Sequence, residues 1–262
     1  MTNYAEQAYV LEEKNTTFEQ AVFYGCLVIS MLTAGYMLAM ITTGNTWDIF
    51  MKVNRPFTDF SLALIECVLG IIALHIPMMI KKKTDLKIPD MLSAFYYVFI
   101  LCGTVLGEAF SLYHAIPVWD SLLHFSSGIM AGMLGGIMMV HFSQKKKCEA
   151  IISPMLIAVC AICFALCIGT VWEIYEFTVD SILNLNMQRY MMQNGTALVG
   201  QAALIDTMKD FILDFAGAIV AAVSAYASLK TRKGWLYEYT KKQDAEEYQE
   251  VNIEREAVTY TS

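Results

Sequence analysis

The amino-acid sequence predicts an all-α polytopic membrane protein, a bundle of six transmembrane helices with both termini in the cytoplasm. Of its 262 residues, 56% are hydrophobic and only 16% are charged, whereas soluble domains contain about 25% charged residues. Six apolar runs each reach about 20 residues, the length of a helix that crosses a bilayer. Basic clusters follow every second run, which indicates a common cytoplasmic side.

The six runs define a transmembrane domain over 20–230, between a polar N-terminal segment, 1–19, and a charged cytoplasmic tail, 231–262. The N-terminal segment is acidic and polar, so we do not expect it to be a cleavable signal peptide. We place the spans at 20–43, 58–80, 91–113, 119–142, 151–177 and 206–229.

The basic clusters orient these spans. Three lysines at 81–83 follow the second span, three at 145–147 follow the fourth, and Lys230, Arg232 and Lys233 follow the sixth. Six crossings put all three clusters on one side, and the positive-inside rule makes that side cytoplasmic. The long loop 181–205 is then extracytoplasmic, and we expect either a lid or re-entrant segment over a cavity or an amphipathic surface strap.

Acidic residues gather at the opposite, extracytoplasmic ends of the spans. Spans two and three carry Glu66 and Glu108 in their outer halves. Span four opens with WDSLLHFSSG, span five closes with VWEIYEFTVD, and span six opens with DTMKDFILDFAGA. In each of these three motifs the ionisable residues are three or four positions apart and so share a helix face. Acids of three consecutive spans are therefore predicted to meet in one polar cavity.

The energy of burial indicates that this cavity has a neutralising partner. An ionised Asp at the centre of a membrane helix costs about 2.5–3.5 kcal/mol on the insertion scale. Shared protons, basic residues such as Lys209 or Arg189, or a bound divalent cation could offset that cost. Carboxylates suit Mg²⁺, Mn²⁺ or Ca²⁺, and one imidazole among them also admits Zn²⁺. The alternative is a partly protonated polar core that only holds the helices together.

The predicted site residues follow from the three motifs. As metal ligands we predict Asp120, His124, Glu173, Glu176, Asp210 and Asp214. As catalytic groups we predict His124, Glu173 and Asp210. Secondary candidates are Glu66, Glu108, Asp180 and Asp206.

The three motifs, in this order, resemble those of the YjdF-like family of bacterial inner-membrane proteins and, more distantly, of VanZ-like proteins. The resemblance covers about residues 20–230. It implies a multi-pass protein of the bacterial plasma membrane with a shared polar site, and it supplies no substrate. The matching positions are Asp120, His124, Glu173, Glu176, Asp206, Asp210, Asp214 and Gly217.

Three functions fit such a site. The first is a membrane-embedded enzyme that acts on a lipid or envelope-linked substrate, with a cation that activates water and His124 as general acid or base. The second is a cation or proton-coupled transporter that uses the same carboxylates. The third is a protein that binds or senses an extracytoplasmic ligand. The sequence leaves the enzyme question and the oligomeric state open. It contains no basic, aromatic-interleaved patch for nucleic acid.

Overall fold

A computed structural model describes residues 2–145, 153–192, 195–246 and 248. Six helices in these residues are long and apolar enough to cross a membrane, which confirms the predicted polytopic all-α fold. They are Thr17–Thr43, Phe57–Lys83, Asp90–Ala109, Trp119–Gln144, Pro154–Leu183 and Gly200–Thr231. The chain forms two compact units that divide between residues 123 and 124. Lys146, Lys147 and the tail residues 249–262 lie outside the described residues.

The first unit contains three of these spans. Its elements are α1 (Thr2–Thr43), the two-residue strands β1 (Trp47–Asp48) and β2 (Val53–Asn54), α2 (Phe57–Leu74), α3 (Ile76–Lys83), α4 (Asp90–Leu101), a π-helical segment (Cys102–Ala109) and α5 (Leu112–Ala115). The two strands pair antiparallel. The second span is divided between α2 and α3 at His75, because Pro77 in the first turn of α3 has no backbone N–H to continue the α-helical bonding.

The predicted third span, 91–113, is four residues too long at its outer end. Its helical structure ends at Ala109 after a π-helical segment, a form that accommodates an extra residue per turn. Ser111 then adopts a left-handed backbone with φ 56°. The turn α5 folds Tyr113 back onto Gly107, where any β-carbon would overlap its ring. The apolar run therefore continues past the helix that it forms.

A buried ion pair connects the α1–α2 loop to the end of this third span. Arg55 lies 3.2 Å from Asp48, and its Nη1 donates to the carbonyl of Ala109 at 2.8 Å. Both charged side chains are buried. The pair fixes the loop between α1 and α2 within the first unit.

The second unit begins within the fourth span. Its elements are α6 (Trp119–Lys145) from His124 onward, α7 (Pro154–Leu183), a 3₁₀ turn (Gly200–Leu204), α8 (Ile205–Thr231) and a further helix over 235–246. Helix α6 begins before residue 124 and is continuous across it. Helix α7 ends six residues beyond the predicted 177. Two carboxylates near its end are hydrogen-bonded, Glu176 to Trp172 of the same helix and Asp180 to the backbone of Met187 in the following loop.

Glycines set the close packing of these helices. A β-carbon at Gly128 of α6 would overlap the carbonyl of Asp214, and one at Gly217 of α8 would overlap the carbonyl of Phe125. One turn further along, a β-carbon at Gly132 would lie 2.8 Å from Ala221 Cβ. Small residues thus allow α6 and α8 to approach backbone to backbone.

The beginning of the predicted tail is packed. Leu236 is fully buried, 3.7 Å from the position of a β-carbon at Gly136. Trp235 Nε1 donates to Ser224 Oγ at 2.8 Å, and the backbone N–H of Tyr237 donates to Ser228 Oγ at 3.0 Å. The helix 235–246 therefore closes the end of the unit where Lys230, Arg232 and Lys233 lie.

Candidate metal centre

Helix α8 presents a row of carboxylates to the interior of the second unit. Asp206, Asp210 and Asp214 are four residues apart and so lie on one face. Asp210 and Asp214 are each only 1% exposed. Toward the other end of the helix, the buried residues are Gly217, Ala218, Ala221, Ala222, Ala225 and Ser228. The polar row is therefore confined to the first half of the helix.

Asp214 lies where the three helices α6, α7 and α8 come together. Ser127 Oγ donates to Asp214 Oδ1 at 2.7 Å, and His124 Nδ1 lies 3.5 Å from Asp214 Oδ2. From α7, a β-carbon at Gly169 would overlap the same Oδ2. The Asp214 carboxylate thus lies against the Ser127 hydroxyl, the His124 imidazole and the backbone of α7 at Gly169.

His124 connects this buried carboxylate to a second one. The imidazole is 6% exposed, and its Nε2 lies 3.9 Å from Asp210 Oδ2. In the tautomer with the ring proton on Nδ1, facing Asp214, Nε2 would present its lone pair on the Asp210 side. This is the arrangement in which proteins prepare a histidine to bind a metal ion.

Asp120 precedes His124 by one turn of α6. One ligand atom from each of Asp120, His124 and Asp210 lies within 4.8 Å of the other two. Within the described part of the chain, this is a group of His, Cys, Asp or Glu residues with the spacing to hold a metal ion. We call these three residues the Asp–His–Asp cluster.

Glu173 of α7 is connected to α8 through a residue of the loop between the two helices. It is 4% exposed, and its Oε2 accepts a hydrogen bond from Gln188 Nε2 at 2.8 Å. The same Gln188 nitrogen lies 3.1 Å from Thr207 Oγ1. A loop residue thus bridges α7 and α8 one turn before Asp210.

The loop that supplies Gln188 is anchored by Asp180. The two carboxylate oxygens of Asp180 accept the backbone N–H groups of Met187 and Gln188, at 2.8 and 3.0 Å. The next residue, Arg189, lies 3.4 Å from Asp206 through its Nη1, so the predicted basic partner does fold back from the loop. Asp180 and Asp206 therefore hold the loop against the unit.

The remaining predicted acids have other surroundings. Glu176 Oε1 accepts a hydrogen bond from Trp172 Nε1 on its own helix at 2.9 Å. Glu66 and Glu108 belong to the first unit, on α2 and on the π-helical segment, where both are half-buried. The structure thus brings Asp120, His124, Asp210 and Asp214 together, and Gln188 connects Glu173 to Thr207 of α8.

Sequence reasoning did not assign three of the contributing residues. Ser127 lies one turn after His124, and that spacing is a usable signal for a shared partner. Gly169 lies four residues before Glu173. Its role becomes evident from the structure, in which it contacts Asp214. Gln188 comes from an aperiodic loop and carries no signal in the sequence.

The fold and the site together define a class, namely multi-pass membrane proteins with a buried His–carboxylate cluster between transmembrane helices. Residues 25–231 match the family described as "Predicted membrane protein (DUF2238)", and the chain belongs to that family. It is also 27% identical to an uncharacterized protein of Thermotoga maritima over 165 residues, which cover 61% of this chain and 74% of the relative. No solved structure matches the chain.

Proposed function

We propose that this protein binds a divalent cation in the Asp–His–Asp cluster and uses it to bind or act on a lipid or envelope-linked substrate outside the cytoplasm. The observation that carries the proposal is the position of His124. Its Nδ1 faces Asp214 at 3.5 Å while its Nε2 faces Asp210 at 3.9 Å. A histidine with a buried carboxylate behind it and further carboxylates in front has the surroundings of a metal ligand.

The donor set fits Mg²⁺, Mn²⁺, Ca²⁺ or Zn²⁺. Two carboxylates supply hard oxygen ligands and negative charge, and a single imidazole extends the range to Zn²⁺. Three protein ligands leave coordination positions for water or a substrate oxygen, and the cation would polarise that oxygen. Asp214 and Ser127 have the role of holding His124 in its orientation and tautomer.

The charge distribution of the second unit supports an extracytoplasmic site. The cluster lies at the beginning of α6 and of α8, whereas Lys230, Arg232 and Lys233 lie at the end of α8. By the positive-inside rule the basic end is cytoplasmic, so the cluster would lie toward the other face. We accordingly place both termini in the cytoplasm, with 1–19 and 231–262 as segments flanking the membrane domain 20–230.

The same features support a bacterial plasma membrane location. The Thermotoga relative is bacterial, and the motif resemblance to YjdF-like proteins points to the inner membrane. A relationship to VanZ-like proteins would add an envelope-linked role. The catalytic assignment we retain is His124 and Asp210 at the cation, with Glu173 beside them.

The buried face of α8 favours a binding or catalytic site over the alternative of a cation or proton-coupled transporter. Beyond Asp214, the described buried positions of α8 are glycine and alanine until Ser228. A transport route through this helix packing would need polar or ionisable groups in that stretch. The acids instead end about halfway along the helix.

Cation binding is the direct test. Full-length protein purified in detergent would be titrated with Mn²⁺, and free Mn²⁺ would be followed by electron paramagnetic resonance, with competition by Mg²⁺, Ca²⁺ and Zn²⁺. We expect saturable binding near one ion per chain, weakened at least tenfold in His124→Ala and Asp210→Asn. Glu238→Gln is the control, because it neutralises an exposed carboxylate in the helix 235–246, at the basic end of the unit, and it should bind as the wild type does.

Two results would overturn the proposal. One is that folded wild-type protein binds none of the four cations stoichiometrically. The other is cation or proton flux in proteoliposomes that Asp210→Asn abolishes, which would establish the transporter instead.

A further inference from the structure

Glu173 holds a carboxylate oxygen for which the described protein provides no partner. Its Oε2 is engaged by Gln188, but its Oε1 is buried and has no hydrogen-bond partner among the described residues. Buried carboxylate oxygens are almost always hydrogen-bonded, because an unsatisfied one loses its hydration without replacement. Something that the protein chain does not itself supply is expected at this oxygen.

The helix register places Glu173 at the level of the Asp–His–Asp cluster. Consecutive transmembrane helices α7 and α8 run in opposite directions, and Gly169 meets Asp214 at their contact. Glu173 is four residues after Gly169 on α7, and Asp210 is four residues before Asp214 on α8. Because the two helices are antiparallel, both steps go the same way in space, and each covers about 6 Å along the helix axis. The Gln188 bridge from Glu173 to Thr207 agrees with this register.

Glu173 is not one of the three residues whose ligand atoms lie within 4.8 Å of one another. A hydrated cation held by those three would extend its water molecules toward neighbouring acceptors, since Mg²⁺ and similar ions keep several waters. A carboxylate on α7 at the same level is such an acceptor.

We infer that Glu173 is the contribution of α7 to the cation site, with its Oε1 accepting a hydrogen bond from the hydration water of the ion, and that Gln188 is its positioning residue. The inference rests on the proposed function. It makes the site a three-helix site and couples it to the loop, because Asp180 fixes the backbone of Gln188.

The substitution Glu173→Gln tests this inference with little change of shape. The amide would place an NH₂ group at one of the two oxygen positions and remove the negative charge near the ion. In the Mn²⁺ titration we expect about tenfold weaker binding, the range found when groups behind a metal site are altered. Glu238→Gln, which neutralises an exposed carboxylate in the helix 235–246, should leave the affinity unchanged.

Gln188→Ala separates positioning from folding, because it changes a loop residue. We expect it to weaken Mn²⁺ binding in the wild-type background and to have no additional effect in the Glu173→Gln background, since both act through the same contact. Thermal unfolding of each variant in detergent, measured without cation, provides the folding control.

The outcomes distinguish the inference from the proposed function. If wild-type protein binds no cation, the proposed function fails and the inference fails with it. If wild-type protein binds Mn²⁺ and folded Glu173→Gln binds it equally well, only the inference is overturned. Additive effects of Glu173→Gln and Gln188→Ala would overturn the positioning role of Gln188.

Discussion

At the scale of single residues, the polar site depends on how Asp214 is satisfied. The structure gives this buried carboxylate a hydroxyl on Oδ1 and an imidazole on Oδ2, from residues three apart on α6. A carboxylate buried in a membrane helix bundle without such donors would be strongly unfavourable. The stability of the three-helix contact and the orientation of His124 are therefore linked.

Ser127→Ala should reveal this link. Removing the 2.7 Å hydrogen bond leaves Asp214 Oδ1 without that donor, and we expect a loss of about 1–3 kcal/mol in the free energy of unfolding. Reversible unfolding in mixed detergent measures the change. Ser181→Ala is the control, because Ser181 Oγ donates to the carbonyl of Phe177 in its own exposed turn. Equal stability of the two variants would contradict the role given to Ser127.

At the scale of elements, the crossing of α6 and α8 determines where the ligands meet. The backbones of α6 and α8 are in contact at Gly128 and Gly217. This backbone contact, rather than the side chains of His124 and Asp210 themselves, brings those two side chains close together. Packing in membranes gains from such close approach because there is no hydrophobic driving force between helices. The site geometry is therefore a property of the helix pair.

Gly217→Ala should separate this pair. A β-carbon there would overlap the carbonyl of Phe125 in α6, a backbone atom that cannot rotate away. We expect destabilisation of about 1–3 kcal/mol together with weaker cation binding. Gly25→Ala, where nothing lies within 4 Å of the added carbon, should be neutral or slightly stabilising. Wild-type stability in Gly217→Ala would show that the helices do not depend on this contact.

The loop after α7 is anchored to its helix by Asp180. Asp180 accepts the backbone N–H groups of Met187 and Gln188, so Asp180→Ala should release the segment that carries Arg189. We expect faster tryptic cleavage after Arg189 in the variant than in the wild type, measured by mass spectrometry of timed digests. Ser181→Ala again serves as the neighbouring control, and unchanged cleavage in Asp180→Ala would contradict the anchoring role.

At the scale of the whole molecule, the proposal depends on orientation in the membrane. Fusion of green fluorescent protein to the C-terminus should give fluorescence, because the basic end of α8 is assigned to the cytoplasm. Fusion of alkaline phosphatase after Ile116, in the segment between α5 and α6, should give an active enzyme only if that segment is outside the cytoplasm. The reverse pattern would place the cluster at the cytoplasmic face.

The sequence predicts the architecture of this chain better than its details, for a physical reason. Apolar run length alone determines where helices can cross a membrane, so all six spans could be located from the sequence. The four-residue spacing of Asp206, Asp210 and Asp214 likewise fixes a common face. The end of the third span and the return of Gln188 involve contacts between residues far apart in the sequence, such as Arg55 with the carbonyl of Ala109 and Gln188 with Thr207, that no local pattern encodes.

The contact between Gly169 and Asp214 has a consequence for natural variation. A methyl group on α7 at position 169 would occupy the space of an Asp214 carboxylate oxygen. Substitutions at positions 169 and 214 are therefore expected to depend on each other. Aligned relatives that keep aspartate at 214 should keep glycine at 169, and alanine or serine at 169 should appear only beside a shorter or neutral side chain at 214. Frequent coexistence of alanine at 169 with aspartate at 214 would show that relatives arrange these two helices differently.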